Sequence, residues 1–399
     1  MKHLLSNKIL SGPGVVITGA FIGPGTVTLC LLAGINSGVS LLWAILFSTF
    51  ATIILQDMVV LLAIQEQQSL ETIFLNRFSK KWMQWVFAIL IFSAIIAGNT
   101  AYQSGNLAGT GLGVNLIYEN TNSPWVIFAI ALFCIVIFGL NNVRKFRQIL
   151  GILVALMSFT FIALALYFMP NVLDLLHGLL IPSVQDDQMM LALGLVGTTV
   201  VPYNLFLHSA LVCNASETEL HFIRKEGAFS ITIGGLISMA IVIIGKTGEG
   251  LPISNATEMA AMLKNNMGTG SVWLFGLGLF AAGLSSALTA PMAAGKVAAS
   301  LWKHFYLSQK GLALWIEIMV VVAGAWVAIS NVNNLWVIKV AQVINGTLLP
   351  VFITMILWLL NSRTVMHKNK NKPWLNAAGI FVLLVSVILT FKTLISILS

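Results

Sequence analysis

Two helix-breaking stretches in this chain could hold a solute. The first is Gly23-Pro24-Gly25-Thr26, set in an apolar run from about Pro13 to Gly34. Proline has no amide proton and its ring clashes with the preceding turn, while the flanking glycines have poor helix propensity. A helix through this run should break and free backbone carbonyls and amides. In a bilayer those groups persist only where they face protein, water or a bound solute. The second stretch is Val200-Val201-Pro202-Tyr203-Asn204. Gly23, Gly25, Thr26, Val201, Tyr203 and Asn204 are therefore candidate substrate-binding residues.

A second kind of chemistry is proton or ion coupling. Asp57 lies inside an apolar segment, where an acid is a functional candidate; the alternative is a structural ion pair with Lys296. His208 lies one turn beyond Asn204 and titrates near neutral pH when unperturbed, so it either relays protons or is a hydrogen-bonded structural histidine. Ser285, Ser286 and Thr289 offer hydroxyls for Na⁺, or simply pack a helix interface. Asn99, Tyr102, Gln103 and Asn106 share one helical face, and Lys339, Gln342 and Asn345 form a similar stripe. Lys339 either snorkels to the interface or draws in an anion. Glu317 is placed to pair with Lys310.

The elements that position these residues are membrane spans. Of 399 residues 58% are hydrophobic and 9% charged, and the mean hydropathy is +0.93, against roughly 25% charged in a soluble domain. The apolar segments are each about 20 residues long, too long for membrane β-strands. Eleven spans are expected, near 13–34, 40–64, 82–109, 124–141, 147–169, 189–214, 226–246, 271–300, 312–331, 334–361 and 373–397. No cleavable leader is expected. The chain reads as a single transmembrane domain over 1–399, all-α and polytopic. The breaks fall in spans 1 and 6, five spans apart, which points to a 5+5 inverted repeat over 13–169 and 189–361 with span 11 (373–397) added. The segment Asn171 to Val184 is either a short amphipathic surface helix or a packed loop.

The net charge of +8 does not indicate nucleic acid, because most Lys and Arg fall in alternate short loops. The positive-inside rule then predicts an integral inner (plasma) membrane protein with its N-terminus cytoplasmic and its C-terminus outside. Cys30, Cys134 and Cys213 have no disulfide or metal spacing and read as small hydrophobes. No nucleophile–base pair and no phosphate loop is visible, so neither an enzyme nor an ATP-driven pump is expected. The expected partners are the lipid bilayer and a small solute or ion, handled by a monomer.

Gly12-Pro13-Gly14 with Ala20 to Gly25, Gly194 to Val212, and Ala281 to Gly295 together resemble the NRAMP family of proton-coupled divalent-metal transporters. The resemblance covers nearly the whole chain. It implies the leucine-transporter-like fold of the amino acid-polyamine-cation superfamily, with spans 1 and 6 discontinuous. It also exposes departures. The family's span 1 carries Asp-Pro-Gly-Asn, where this chain has Gly23 and Thr26 at the two ligand positions. Its Met-Pro-His in span 6 is replaced by Val201 and Tyr203 about the proline. The span 3 acids linked to proton passage are replaced by Asn99 and Tyr102. His208 is kept, as is Gln342, which aligns with a glutamine that approaches the ion.

What remains is a neutral site with no metal ligands of the family type and no cofactor. Dications are usually held by carboxylate, imidazole or sulfur, whereas half-helices starting after Pro24 and Pro202 aim positive dipole ends at the break. The expectation is a secondary transporter working by alternating access on a small anionic or zwitterionic solute, a carboxylate or a bicarbonate-like anion. The alternative is a divergent divalent-cation transporter, for example of hydrated Mg²⁺. A membrane sensor that binds without transport is a third class, disfavoured by the lack of long soluble extensions. The coupling ion is H⁺ through Asp57, His208, Asn99 and Tyr102, or Na⁺ through Ser285, Ser286 and Thr289.

Overall fold

The computed structural model describes residues 12–118, 124–140, 142–183, 188–251, 256–307, 310–330, 334–362 and 373–398. Helix accounts for nearly all of it. In chain order the helices are α1 Pro13–Phe21, α2 Pro24–Ser37, α3 Leu42–Glu66, α4 Leu70–Leu75, α5 Lys81–Ile117, α6 Pro124–Gly139, α7 Val143–Tyr167 and α8 Val172–Leu180. There follow α9 Met189–Thr199, α10 Pro202–Val212, α11 Leu220–Lys246, α12 Ala256–Met267, α13 Thr269–His304, α14 Leu312–Ile329, α15 Asn334–Leu360 and α16 Pro373–Leu398. Each of the eleven expected spans coincides with one helix or one broken pair. Among the described residues, eight spans are long and apolar enough to cross a membrane, and α1 with α2, bent by 55°, makes a ninth.

The side chains that stay exposed match a lipid-facing wall. Ile89, Leu90, Ile152, Phe159, Phe381 and Phe391 point outward, with Trp82, Trp125, Trp315, Trp326 and Trp374 among them, the residues that favour headgroup depth. The chain is an integral, multi-pass membrane protein. Asn171 caps α8 by accepting from Leu173 N–H at 3.1 Å, so the amphipathic surface helix is formed, with Leu173 and Leu180 exposed. The helix α12 was not anticipated. Span 7 starts earlier than expected, at Leu220, which draws Arg224 and Glu226 into the bundle.

Both breaks form where the prolines predict. Pro24 and Pro202 each occupy the first turn of the second half-helix, the position where the missing N–H costs nothing. The half-helices cross-pack: α1 lies against α10 and α2 against α9, while α11 runs along both α1 and α2. α5 and α13, the longest helices, form a paired wall on the other side, and α13 also touches α1 and α10. Pro291 inside α13 cannot donate to the carbonyl of Ala287, four residues back. Gln103 Nε2 of α5 donates to that carbonyl instead, at 3.1 Å, and so fastens the wall at mid-span.

Candidate functional site

Three hydroxyls converge on the carbonyls that the span 1 break sets free. The Tyr203 hydroxyl, from the first turn of α10, donates to Ala20 O at 2.7 Å. Ser286 Oγ, from α13, lies 3.1 Å from Gly19 O and 3.3 Å from Ile22 O. Thr26 Oγ1 donates back to Phe21 O and meets Thr198 Oγ1 of α9 at 2.8 Å. Buried carbonyls need donors, and here side chains from both breaks and from α13 provide them. Between these groups lies a cavity of about 20 Å³ lined by Ala20, Phe21, Gly23, Thr26, Tyr102, Asn106, Thr198, Val201, Tyr203 and Ser286. A space of roughly 10–15 Å³ holds one water; in this conformation the cavity takes one oxygen-sized or monatomic occupant.

Gly23 is constrained by what faces it. A Cβ there would stand 2.7 Å from Ser286 Oγ and 3.2 Å from Asn106 Oδ1. Ser286 thus occupies the space into which a longer side chain at position 23 would grow.

On the helices that border the cavity several buried polar atoms have no hydrogen-bond partner among the described residues. They are both amide atoms of Asn99 and of Asn204, Asn106 Nδ2, Gln103 Oε1 and His208 Nε2. Such atoms cost free energy unless water or a ligand meets them. They lie on α5 and α10, and Tyr102 and Tyr203 bring those helices together with ring centroids 6.0 Å apart. The span 3 polar face and the span 6 break are therefore neighbours, and Tyr102, Asn106 and Tyr203 share the lining of the cavity. His208 is held by Gln56 of α3, Nδ1 to Oε1 at 2.8 Å; with the amide so oriented Nδ1 carries the proton and Nε2 is a free acceptor.

Other predicted residues lie elsewhere. Asp57 forms an ion pair with Arg224, both carboxylate oxygens accepting from the guanidinium, so its partner is not Lys296. The extra six residues of span 7 put Arg224 opposite it. Glu317 packs against Gly295 and shares a cavity with Lys296, because α14 docks on α13; Lys310 is not its partner. Ser285 and Thr289 donate to carbonyls of their own helix, at 3.0 Å each, and of these three candidates Ser286 alone reaches the break. Gln342, with Lys339 and Asn345, falls within α15, but these side chains lie outside the described ones. Among the described residues no group of three or more His, Cys, Asp or Glu could hold a metal ion.

Sequence reasoning missed Thr198, Gln56 and Glu226. Thr198 sits two residues before the break it serves, and its partner Thr26 was already a candidate. Glu226 was taken as the edge of span 7, yet it is 2% exposed, on the helix that flanks the broken span.

Residues 14–396 match the family described as natural resistance-associated macrophage protein-like, Nramp. A divalent metal cation transporter of Verminephrobacter eiseniae, MntH, is 27% identical over 397 residues, covering 96% of this chain and 87% of that one. Its counterpart from Erwinia tasmaniensis is 26% identical, covering 79% and 78%. Among solved structures, the Eremococcus coleocola manganese transporter superposes with a TM-score of 0.76 at 21% identity, over 99% of this chain and 87% of that one. MhsT in complex with L-phenylalanine superposes at 0.63 with 17% identity, over 97% of each chain. The shared architecture is the leucine-transporter-like fold.

Proposed function

The chain belongs to the Nramp family of transporters, and on that premise we propose that it is a secondary transporter moving a divalent cation by alternating access through the paired breaks. The observation that carries this reading is the cavity of about 20 Å³, which suits one ion or water and is too small for a carboxylate. The relatives named as divalent metal cation transporters point the same way. This reverses the sequence-based preference for an anionic solute. The lining offers hydroxyl, amide and carbonyl oxygen, with neither thioether, imidazole nor carboxylate at the break. Hard, uncharged oxygen suits a hard ion such as Mg²⁺ better than Mn²⁺ or Fe²⁺ held tightly; a water shell on that ion needs a wider cavity than this conformation holds. Thr26 and Asn106 line the cavity and are the candidates to meet the ion, with Asn204, next to Tyr203 in the chain, a further one; the face rich in Lys and Arg is taken as the cytoplasmic one.

A small anion is the second reading, favoured by one observation: two half-helix N-termini, at Pro24 and Pro202, face the break with no acidic residue in either first turn. Flux into proteoliposomes separates the two. Uptake of Mg²⁺, competed by other dications and indifferent to acetate and bicarbonate, is expected. Saturable uptake of labelled acetate or bicarbonate with no divalent flux would overturn the cation reading.

A further inference from the structure

Glu226 of α11 sits on the first turn of α1. Its Oε2 accepts from the Gly14 amide at 2.9 Å, and Ser230 Oγ lies 3.4 Å from Oε1. A Cβ at Gly14 would stand 2.8–3.0 Å from the carboxylate atoms, and one at Gly12 2.5–2.9 Å. The two glycines of Gly12-Pro13-Gly14 therefore let a side chain from another helix close over a helix N-terminus. The acid meets unpaired amides and the positive dipole end, the place where a negative charge is most favourable. No residue of α1 itself does this, since Gly12 gives no side-chain cap.

We propose that Glu226 is the latch of the α1 half-helix: its carboxylate holds α1 against α11, and a proton delivered to it frees α1 to swing. The inference rests on the alternating-access reading but on no particular solute. The latch acts on α1, a nine-residue half-helix bent 55° from α2, whose last carbonyls are bound by Tyr203, Ser286 and Thr26. The other charged or titratable groups near Glu226 come from α3, α7, α10 and α11 itself. Arg147 of α7 lies within electrostatic range. His208 of α10 has Cε1 3.7 Å from where a Gly227 Cβ would stand. The Asp57–Arg224 pair ties α3 to α11 two residues away. α1 brings no titratable side chain, and α2 only Cys30. A proton on the carboxylate removes both its attraction to Arg147 and the charge at the helix end.

The test is cysteine accessibility in the full chain, with the three native cysteines replaced and Thr18→Cys placed on α1, where Thr18 is fully buried. The reference is Lys80→Cys, which is exposed. With Glu226→Gln, labelling of position 18 by a charged maleimide should rise about tenfold relative to position 80, as expected when a buried charge leaves a helix N-terminus. With Glu226 intact the same ratio should climb from pH 8 to pH 6, and with Gln it should be flat. Equal labelling in both backgrounds, or equal pH slopes, would overturn the latch. If Glu226→Gln yields no folded protein, Gly14→Ala serves instead, since its methyl group pushes the carboxylate away; labelling at the parent rate would overturn the proposal equally. No solute is present in these measurements, so their failure is distinct from failure of the cation reading, which only flux can test.

Discussion

The break and the layer of charge beside it solve the same problem by different chemistry. At the break, loose backbone ends are met by neutral hydroxyls: Tyr203, Ser286, Thr26 and Thr198. On the flanking helices the loose ends and helix contacts are met by ions: Glu226 on the α1 amides and Asp57 with Arg224 between α3 and α11. The hydroxyls and Glu226 are buried, and the Asp57–Arg224 pair is partly buried. The difference is that charge is absent from the lining of the break and kept at contacts between neighbouring helices. A neutral lining binds weakly and releases easily, whereas a charged contact between helices can be switched by a proton.

The sharpest way to break that contrast is to put a carboxylate back at the break. Gly23→Asp should abolish most flux, because its side chain must displace Ser286 Oγ, 2.7 Å from the new Cβ. Overpacking of about 1–3 kcal/mol corresponds to roughly a 5- to 150-fold loss in the population of the closed site. Gly23→Asp with Ser286→Gly gives the acid room and should recover flux with Mn²⁺ now admitted. A fully active single variant of parental stability would show that the neutral lining is incidental.

The charged layer is tested by Asp57→Ala. It strands Arg224, whose side chain is 23% exposed against 13% for Asp57. Partial exposure softens the penalty of a fully buried pair, so a loss of about 1–3 kcal/mol is expected. Asp57→Ala with Arg224→Ala should recover part of it. If the double variant keeps the parent's pH profile of uptake, Asp57 is a structural residue; a flattened profile would return it to the coupling candidates.

Back at the break, Tyr203→Phe removes one hydroxyl and leaves Ala20 O with the long contact to Ser286 Oγ, 3.5 Å away. A loss of about 1 kcal/mol is expected, rising toward ~3 if no water replaces the donor. A thermal midpoint equal to the parent's would mean that solute or water, rather than Tyr203, satisfies that carbonyl.

The sequence made some of this legible and hid the rest for physical reasons. Proline and glycine announce a break through backbone chemistry alone, so Pro24 and Pro202 located the site without any contact being known. Asp57 announced itself as an acid in an apolar run, but its partner depends on which residue α11 brings opposite. That in turn depends on a helix start misplaced by six residues. Glu226 was hidden by the same error, since an acid at a span edge looks solvated. The direction of the hydroxyls was not legible at all: Ser285, Ser286 and Thr289 are alike in sequence, and the rotation of α13 alone decides that Ser286 faces the break.

The smallest effect is expected from Glu71, and it asks whether every carboxylate beside the charged layer is ionised. Glu71 lies on the short connector α4, outside the spans, and is fully buried. Burial holds its carboxyl above the usual carboxylate range, opposed by the Ser69 and Ser300 hydroxyls. Those hydroxyls lie 2.6 Å apart and join α4 to the end of α13. A raised value in the folded state means that the native protein keeps a proton the unfolded chain gives up. Stability is then fully present below the ordinary carboxylate range and declines as pH climbs from that range through the folded-state value. Glu71→Gln removes that decline, so its thermal midpoint relative to the parent should be higher at pH 8 than at pH 4. Equal differences at both pH values would mean that Glu71 titrates as it would in water, and that this layer holds its carboxylates charged without exception.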